Sequence, residues 1–324
     1  MRRIKSISDL EKWKENILSK QKRHEIIVSV CGGTGCQAYG CQKVKGAFQK
    51  ELTQRGMRER VALKVTGCPG FCEKGPLVTI YPQNIFYQKV KPEDVPEIIS
   101  ETIENGRKVE HLLFEDPNAN RKITSANDIP FYRSQMRLLL SRNDLIDPTH
   151  IEDYVADGGY QSLAKALFQM KPTEIIEEIK TSGLRGRGGA GYPTGKKWED
   201  CKKEPKETKY VICNCDEGDP GAFMDRALME GNPHSVLEGM LIGAYAIGAN
   251  NGFIYVRHEY PLAHKNAEIA IQQARKAGLL GKNILGSGFD FDVEIAKGGG
   301  ACLCGESTAF IASLEGRGGD NGRA

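Results

Sequence analysis

The sequence predicts two α/β domains in tandem, a small sandwich followed by a larger layered domain with a mostly parallel sheet. Three observations predict this. β-branched runs alternate with helical periodicity along both halves of the chain. Five of the ten cysteines are crowded between Cys31 and Cys72. Residues 116–130, with prolines, asparagines and no periodicity, part the halves as a linker. The first domain spans 23–115, behind an N-terminal helix at 1–22, and the second spans 131–324.

The opening MRRIKSISDLEKWKENILSK lacks the apolar centre of a signal peptide and reads as a short amphipathic helix capped near Ser8 or Asp9. HEIIVSV is a buried strand, and the loop CGGTGCQAYG leads into the helix CQKVKGAFQKELTQRGM. VALKVTG is a second strand, followed by CPGFCEKGP. LVTIYP and NIFYQKV form a strand pair joined through Pro82, Gln83 and Asn84, and PEDVPEIISETIENG closes as a helix. Strand, helix, strand, hairpin and helix in that order match a thioredoxin-like α/β sandwich. In the second domain, helical stretches from Phe131 precede the loop LRGRGGAGYPTG. Then KYVICNCDEGDPG reads as a strand entering an acidic turn, SVLEGMLIGAYAIGA as a helix and GFIYVR as a strand. NAEIAIQQARKAGLLG is a helix, and FDVEIAKGGGACLCGESTAFIASLEG is strand, turn and helix. This alternation is Rossmann-like.

Forty-five basic and 42 acidic residues leave a net charge of +3, which gives no reason to expect nucleic acid or an anionic membrane as partner. No run approaches the roughly 18 apolar residues of a membrane span. A cytoplasmic location is expected. Without a secretory signal, the cysteines point to metal or cluster ligation rather than disulfides.

Cys31 and Cys36 are separated by four residues, Cys68 and Cys72 by three, and each pair lies on a turn after a strand. Four thiolates brought to one sheet end suit an iron–sulfur cluster, and the glycines around them let backbone N–H groups approach its sulfides. Zinc takes four cysteines too, more often from tighter knuckles, and four unliganded thiols are the bland alternative. Cys41 reads as a bystander. The Cys-x₄-Cys and Cys-x₃-Cys pairs, with GCPGFCEKGPLV around the second, resemble the thioredoxin-like 2Fe-2S ferredoxins over residues 24–113.

Gly186, Arg187, Gly188 and Gly189 open a glycine-rich loop that follows a helix, not a strand, so it is no ordinary Rossmann fingerprint. Its amides, with Arg185, Lys196 and Lys197, still suit a phosphate or pyrophosphate. Asn214, Asp216, Glu217, Gly218 and Asp219 form a turn at a strand's carboxyl end, where acidic and amide groups would accept hydrogen bonds from polyol hydroxyls or flavin N–H groups. A plain acidic turn or a calcium site is the competing reading. Gly305 and Glu306 stand where a third strand opens into a helix, whose first amides could meet a flavin or its phosphate. Cys213, Cys215, Cys302 and Cys304 read as small buried residues in these loops.

SGLRGRGGAGYPTGKKW, CNCDEGDPGAFMDR, EGMLIGAYAIGA and CGESTA, in that order between about Phe131 and Gly316, resemble the FMN- and NADH-binding subunit of complex I. They are closer still to its relatives in NAD(P)-dependent hydrogenases and formate dehydrogenases. The resemblance implies FMN held by residues 186–189, Lys197, Asn214, Asp216, Glu217, Gly305 and Glu306. It implies NAD(H) or NADP(H) stacked on Tyr192 with its ribose near Asp219, hydride transfer to the flavin, and single electrons passed on to iron–sulfur clusters. No acid or base residue is required. Partners implied are the other subunits of a hydrogenase, formate dehydrogenase or complex I-like assembly, and ferredoxin-type carriers. Ser307 replaces an acidic residue of the family pattern, which removes repulsion against a 2′-phosphate and admits NADP(H). Glu199 and Asp200 follow Trp198 where relatives carry a second aromatic. The family continues beyond this chain's length with a ubiquitin-like domain and the ligands of a 4Fe-4S cluster, so the flavin domain is expected to be incomplete. The competing function is a non-catalytic electron-transfer or assembly module that uses the 2Fe-2S domain alone.

Overall fold

A computed structural model describes residues 3–219, 221–298 and 307–316. They divide into two compact units. One holds Glu15–Asp153 with Glu230–Asn232, and the other holds Met1–Lys14, Tyr154–Met229 and Pro233 onward.

The first unit is built on a four-stranded sheet of order β2-β1-β3-β4, from β1 (Ile26–Cys31), β2 (Val61–Thr66), β3 (Val78–Tyr81) and β4 (Ile85–Tyr87). β1 and β2 are parallel, and β3 runs antiparallel to both β1 and β4. A parallel pair needs a crossover, supplied by helix Cys41–Gln54, whose Val44, Phe48 and Leu52 recur at helical spacing and are buried. They share one core with Val28, Val30 and Ile80, each with no exposed surface. The helix at the end of the sandwich, Ile98–Glu104, buries Ile98, Ile99 and Ile103 in the same core. The stretch 116–130 contains structure of its own: β5 (Phe114–Asp116) and β6 (Arg121–Ile123) pair as an antiparallel hairpin. The N-terminal helix runs Ile7–Gln21 and its cap is Ser6, not Ser8 or Asp9, because the Asp9 amide donates to Ser6 Oγ at 3.1 Å.

The second unit centres on a fully parallel sheet, β7 (Tyr210–Cys215), β8 (Asn251–Arg257) and β9 (Asp292–Gly298), in sequence order. Helices Pro233–Ile247 and Pro261–Ala277 are its crossovers. Ala263, Ala267, Ala270, Ala274 and Ala277 are fully buried along the second, a small-residue face that lets a helix lie close to the sheet. Glu238, buried on the first crossover helix, accepts hydrogen bonds from the amides of Tyr160 (2.8 Å) and Leu163 (2.9 Å) and from Tyr154 Oη (2.5 Å). It thereby fixes the start of helix Gln161–Gln169.

Candidate functional site

The cysteine cradle lies in the first unit. Register pairs Cys31, the last residue of β1, with Thr66, the last of β2, and Gly32 N–H donates to Thr66 O at 2.8 Å. The two parallel strands therefore release both cysteine loops side by side at one sheet edge. The loop after β1 is not a simple turn: Thr34–Ala38 is a short helix that buries Cys36 completely. Gly40, at φ +86°, ends it before the crossover helix begins. Cys68 and Cys72 bracket the second loop with sulfurs 3.3 Å apart, and Gly70 N–H donates to Cys68 Sγ at 3.3 Å. The neighbouring Cys36 and Cys68 thiols and burial push the Cys31 thiol well above the usual range. All four thiols singled out in the sequence are thus together. Cys41 is buried on the crossover helix, and burial raises its thiol to about 11, which fits a bystander.

Three glycines leave the space. A β-carbon on Gly33 would stand 2.7 Å from Cys68 Cβ, one on Gly35 3.0 Å from Cys72 Cβ, and one on Gly75 2.8 Å from Cys36 Sγ. Such contacts are too close for carbon and sulfur, so side chains there would fill the cradle. The backbone wraps the four sulfurs closely because nothing but hydrogen is present at those positions. Four thiols around a cradle kept open in this way fit a cluster with four thiolate ligands. Phe71, between the second cysteine pair, stacks on Phe131 at 4.7 Å and meets Tyr132 edge-on, which shields that loop from water.

The second unit carries the nucleotide-type residues. Cys215 pairs with Val256 and Arg257 with Gly298, so the carboxyl ends of all three parallel strands lie at one sheet end. Asp216 is buried at 3% exposure, its Oδ1 lies 3.8 Å from Arg257 Nε, and its Oδ2 has no hydrogen-bond partner among the described residues. A buried carboxylate oxygen left in this way is where a ligand N–H or hydroxyl would dock. Asn214 Oδ1 accepts from the Asp216 amide at 2.9 Å and holds the turn. Glu217 is committed differently: its carboxylate accepts from the amides of Met224 and Arg226, both at 2.8 Å, and so caps helix Asp225–Gly231. Its main-chain carbonyl takes Arg257 Nη1 at 2.7 Å and Tyr260 Oη at 3.0 Å. Asp219 is exposed and Gly218 partly so. Burial, with Glu217 nearby, raises the Asp225 carboxyl to about 6. Cys213 and Cys215 are likewise pushed up by burial, Cys213 to about 12, so neither offers a thiolate.

The glycine-rich loop is an exposed hairpin closed by Gly186 N–H to Tyr192 O and Thr194 N–H to Leu184 O, both 2.9 Å. Gly189 and Gly191 have φ of +109° and +61°, which glycine alone adopts without strain. Among the described residues nothing stands within 4 Å of β-carbons built on Gly188, Gly189 or Gly191. Packing among those residues therefore does not demand these glycines, whereas close approach of a ligand would. Lys197 Nζ stands 5.6 Å from the Tyr192 ring, which is 43% exposed. Gly305, Glu306, Cys302 and Cys304 lie outside the described residues, as does the side chain of Ser307.

Sequence reasoning passed over Arg257 and Tyr260, which brace the acidic turn; the signal available was an arginine closing a parallel strand at its carboxyl end. It also passed over Phe223, half exposed at φ +51° beside Arg226, whose guanidinium lies 4.7 Å from the ring. A non-glycine residue held there stores strain of about 1–3 kcal/mol, a mark of functional turns.

A parallel-sheet end with a buried acidic turn, a glycine-rich hairpin suited to phosphate and a four-thiol cradle are the parts of a flavoprotein with an iron–sulfur domain. Residues 16–103 match the thioredoxin-like [2Fe-2S] ferredoxin family and residues 179–324 match the Nuo51 FMN-binding domain. The NADP-reducing hydrogenase subunit HndC of Solidesulfovibrio fructosivorans is 55% identical over 188 residues, 58% of this chain and 38% of that protein. A subunit of the NADH-quinone oxidoreductase of Aquifex aeolicus is 50% identical over 187 residues, 58% of this chain and 43% of that protein. The alpha subunit of the NAD-reducing hydrogenase HoxS of Cupriavidus necator is 34% identical over 298 residues, 90% of this chain and 46% of that protein. The chain thus spans less than half the length of each of these relatives. Among the described residues no helix is long and apolar enough to cross a membrane.

Proposed function

We propose that this chain is the flavin- and nucleotide-binding subunit of a multi-subunit NAD(P)H-linked oxidoreductase of the hydrogenase, formate dehydrogenase or complex I type, working in the cytoplasm. The observation that carries the reading is the pairing on one chain of a thiol cradle kept open by Gly33, Gly35 and Gly75 with a sheet end that presents an unsatisfied buried oxygen of Asp216. When bound, FMN and a 2Fe-2S cluster supply hydride acceptance and one-electron transfer. The protein's share is positioning. Cys31, Cys36, Cys68 and Cys72 would ligate the cluster. The amides of Gly186, Arg187, Gly188 and Gly189, with Lys197, would meet the FMN phosphate. Asn214, Asp216, Gly305 and Glu306 would face its polar groups, with Glu217 and Gly218 shaping the turn. Tyr192 and Asp219 would receive the nucleotide. The domains would divide as a 2Fe-2S domain at 23–115 and a flavin domain from 131. The partners would be the remaining subunits of such an assembly and ferredoxin-type carriers.

The test is anaerobic purification followed by absorbance, acid-released flavin and iron analysis, and diaphorase turnover of NADH and NADPH with an artificial acceptor. One FMN, two irons and turnover are expected. Iron without flavin or turnover would reduce the protein to an electron-transfer module, and a colourless zinc protein would overturn the reading.

A further inference from the structure

Beyond the four thiols, the cluster cradle is held by a residue far away in sequence. Glu230 is buried at 3% exposure and belongs to the same compact unit as the cysteine loops. Its carboxylate accepts the Thr34 amide at 3.0 Å and also the Thr34 hydroxyl, a close contact. Thr34 stands between Cys31 and Cys36 at the start of the short helix that buries Cys36. The neighbouring Gly231 presses on the other cysteine loop: a β-carbon on Gly67 would stand 2.4 Å from Gly231 Cα. Asn143, itself fully buried, donates to Cys68 O at 3.2 Å and lies against the same glycine. One two-residue segment thus touches both loops, and in sequence it falls within the stretch matched by the flavin-binding family.

We propose that Glu230 is a positioning residue for the 2Fe-2S cluster: it pins the Cys31–Cys36 loop through Thr34 and lowers the cluster's reduction potential with its buried negative charge. The inference rests on the cluster reading above. Negative charge on a buried carboxylate bonded to the Cys31–Cys36 loop disfavours adding an electron to a cluster held there. The same two bonds hold the first turn of helix Thr34–Ala38, and so the direction in which Cys36 enters the cradle.

The full chain and its Glu230→Gln and Glu230→Ala variants test this. Gln keeps the shape and one acceptor but removes the charge. With the reconstituted cluster, a redox titration followed by electron paramagnetic resonance should show the Gln variant's midpoint displaced to more positive potential at wild-type iron content. In the apo-protein, hydrogen exchange of the Thr34 amide should quicken on the order of tenfold in the Ala variant. An unchanged midpoint in a fully loaded Gln variant, or an unchanged Thr34 exchange rate in apo Glu230→Ala, overturns the inference. Failure of the Gln variant to hold iron while Thr34 exchange quickens supports the pinning role. Wild-type protein that takes up no iron at all overturns the cluster reading itself and the inference with it.

Discussion

Replacing Gly33 by alanine isolates the steric part of the cluster cradle. Gly33 has φ −63° and ψ 160°, ordinary extended backbone, so alanine carries no conformational penalty there. Its new methyl would stand 2.7 Å from Cys68 Cβ and 3.5 Å from Cys68 Cα. Carbon atoms rest at about 3.5 Å or more, so the loops must part by roughly 0.8 Å. They are not free to do so. Gly32 N–H is bonded to Thr66 O at 2.8 Å, Gln37 Nε2 to Gly32 O at 2.9 Å, and Asn143 holds the Cys68 carbonyl. Overpacking of this kind costs about 1–3 kcal/mol, or roughly 3–10 °C in the melting temperature of the apo-protein. The displacement also exceeds the tolerance of about 0.2 Å on metal–ligand distances. Iron and sulfide content and the visible circular dichroism of anaerobically reconstituted protein should therefore fall well below wild type. Gly46→Ala is the control: it lies in helix Cys41–Gln54, nothing among the described residues lies within 4 Å of its β-carbon, and it should stabilise by about 0.5–1 kcal/mol. A Gly33→Ala protein with wild-type iron, spectrum and melting temperature would refute the argument.

Asp216→Asn should weaken FMN binding about tenfold or more, read by quenching of flavin fluorescence, because the oxygen it alters is the unpartnered one; equal affinity would remove Asp216 from the site. Glu238→Ala should lower unfolding free energy by about 2–4 kcal/mol in urea titrations, since three donors lose their acceptor, and Glu238→Gln by less. His234 is held neutral, its pKa lowered to about 4 by burial, so its contribution is present above the ordinary histidine value near 6.5 and is lost as pH falls toward 4. That amounts to about 3 kcal/mol, and His234→Gln should flatten the acid limb of the urea midpoint against pH. Asp225 has the opposite sign: raised to about 6 by burial and Glu217, it stabilises below its ordinary pKa and loses that contribution as pH rises through 6. Asp225→Asn should therefore be more stable than wild type at pH 7 but not at pH 4, and a variant no more stable at pH 7 would contradict this.

Much of the cradle is legible from sequence because its determinants are local. Cys31 ends a β-branched run, Cys68 follows another, and a helix-length stretch between two strands requires a parallel pair whose ends coincide. Periodicity likewise reveals the three parallel strands of the second unit. What it does not reveal is which polar atoms are already spent. Glu217 and Asp216 are neighbours of the same chemistry, yet one has both carboxylate oxygens bonded to backbone amides and the other keeps one unpaired. The hairpin at Phe114–Ile123 is not legible because three-residue strands are too short to display alternation.

Composition, spacing and strand–helix order on their own determine that this is a tandem α/β chain with cysteine pairs after two strands of the first half, a glycine-rich loop after a helix and an acidic turn after a strand of the second. Those features follow from side-chain period and turn chemistry, which act over a few residues. Tertiary structure alone decides that Glu230 reaches Thr34, that Arg257 braces Glu217, and that Gly33 faces Cys68. Each of these joins residues whose meeting depends on how whole strands and helices stack, and no local preference in the chain encodes such a distance.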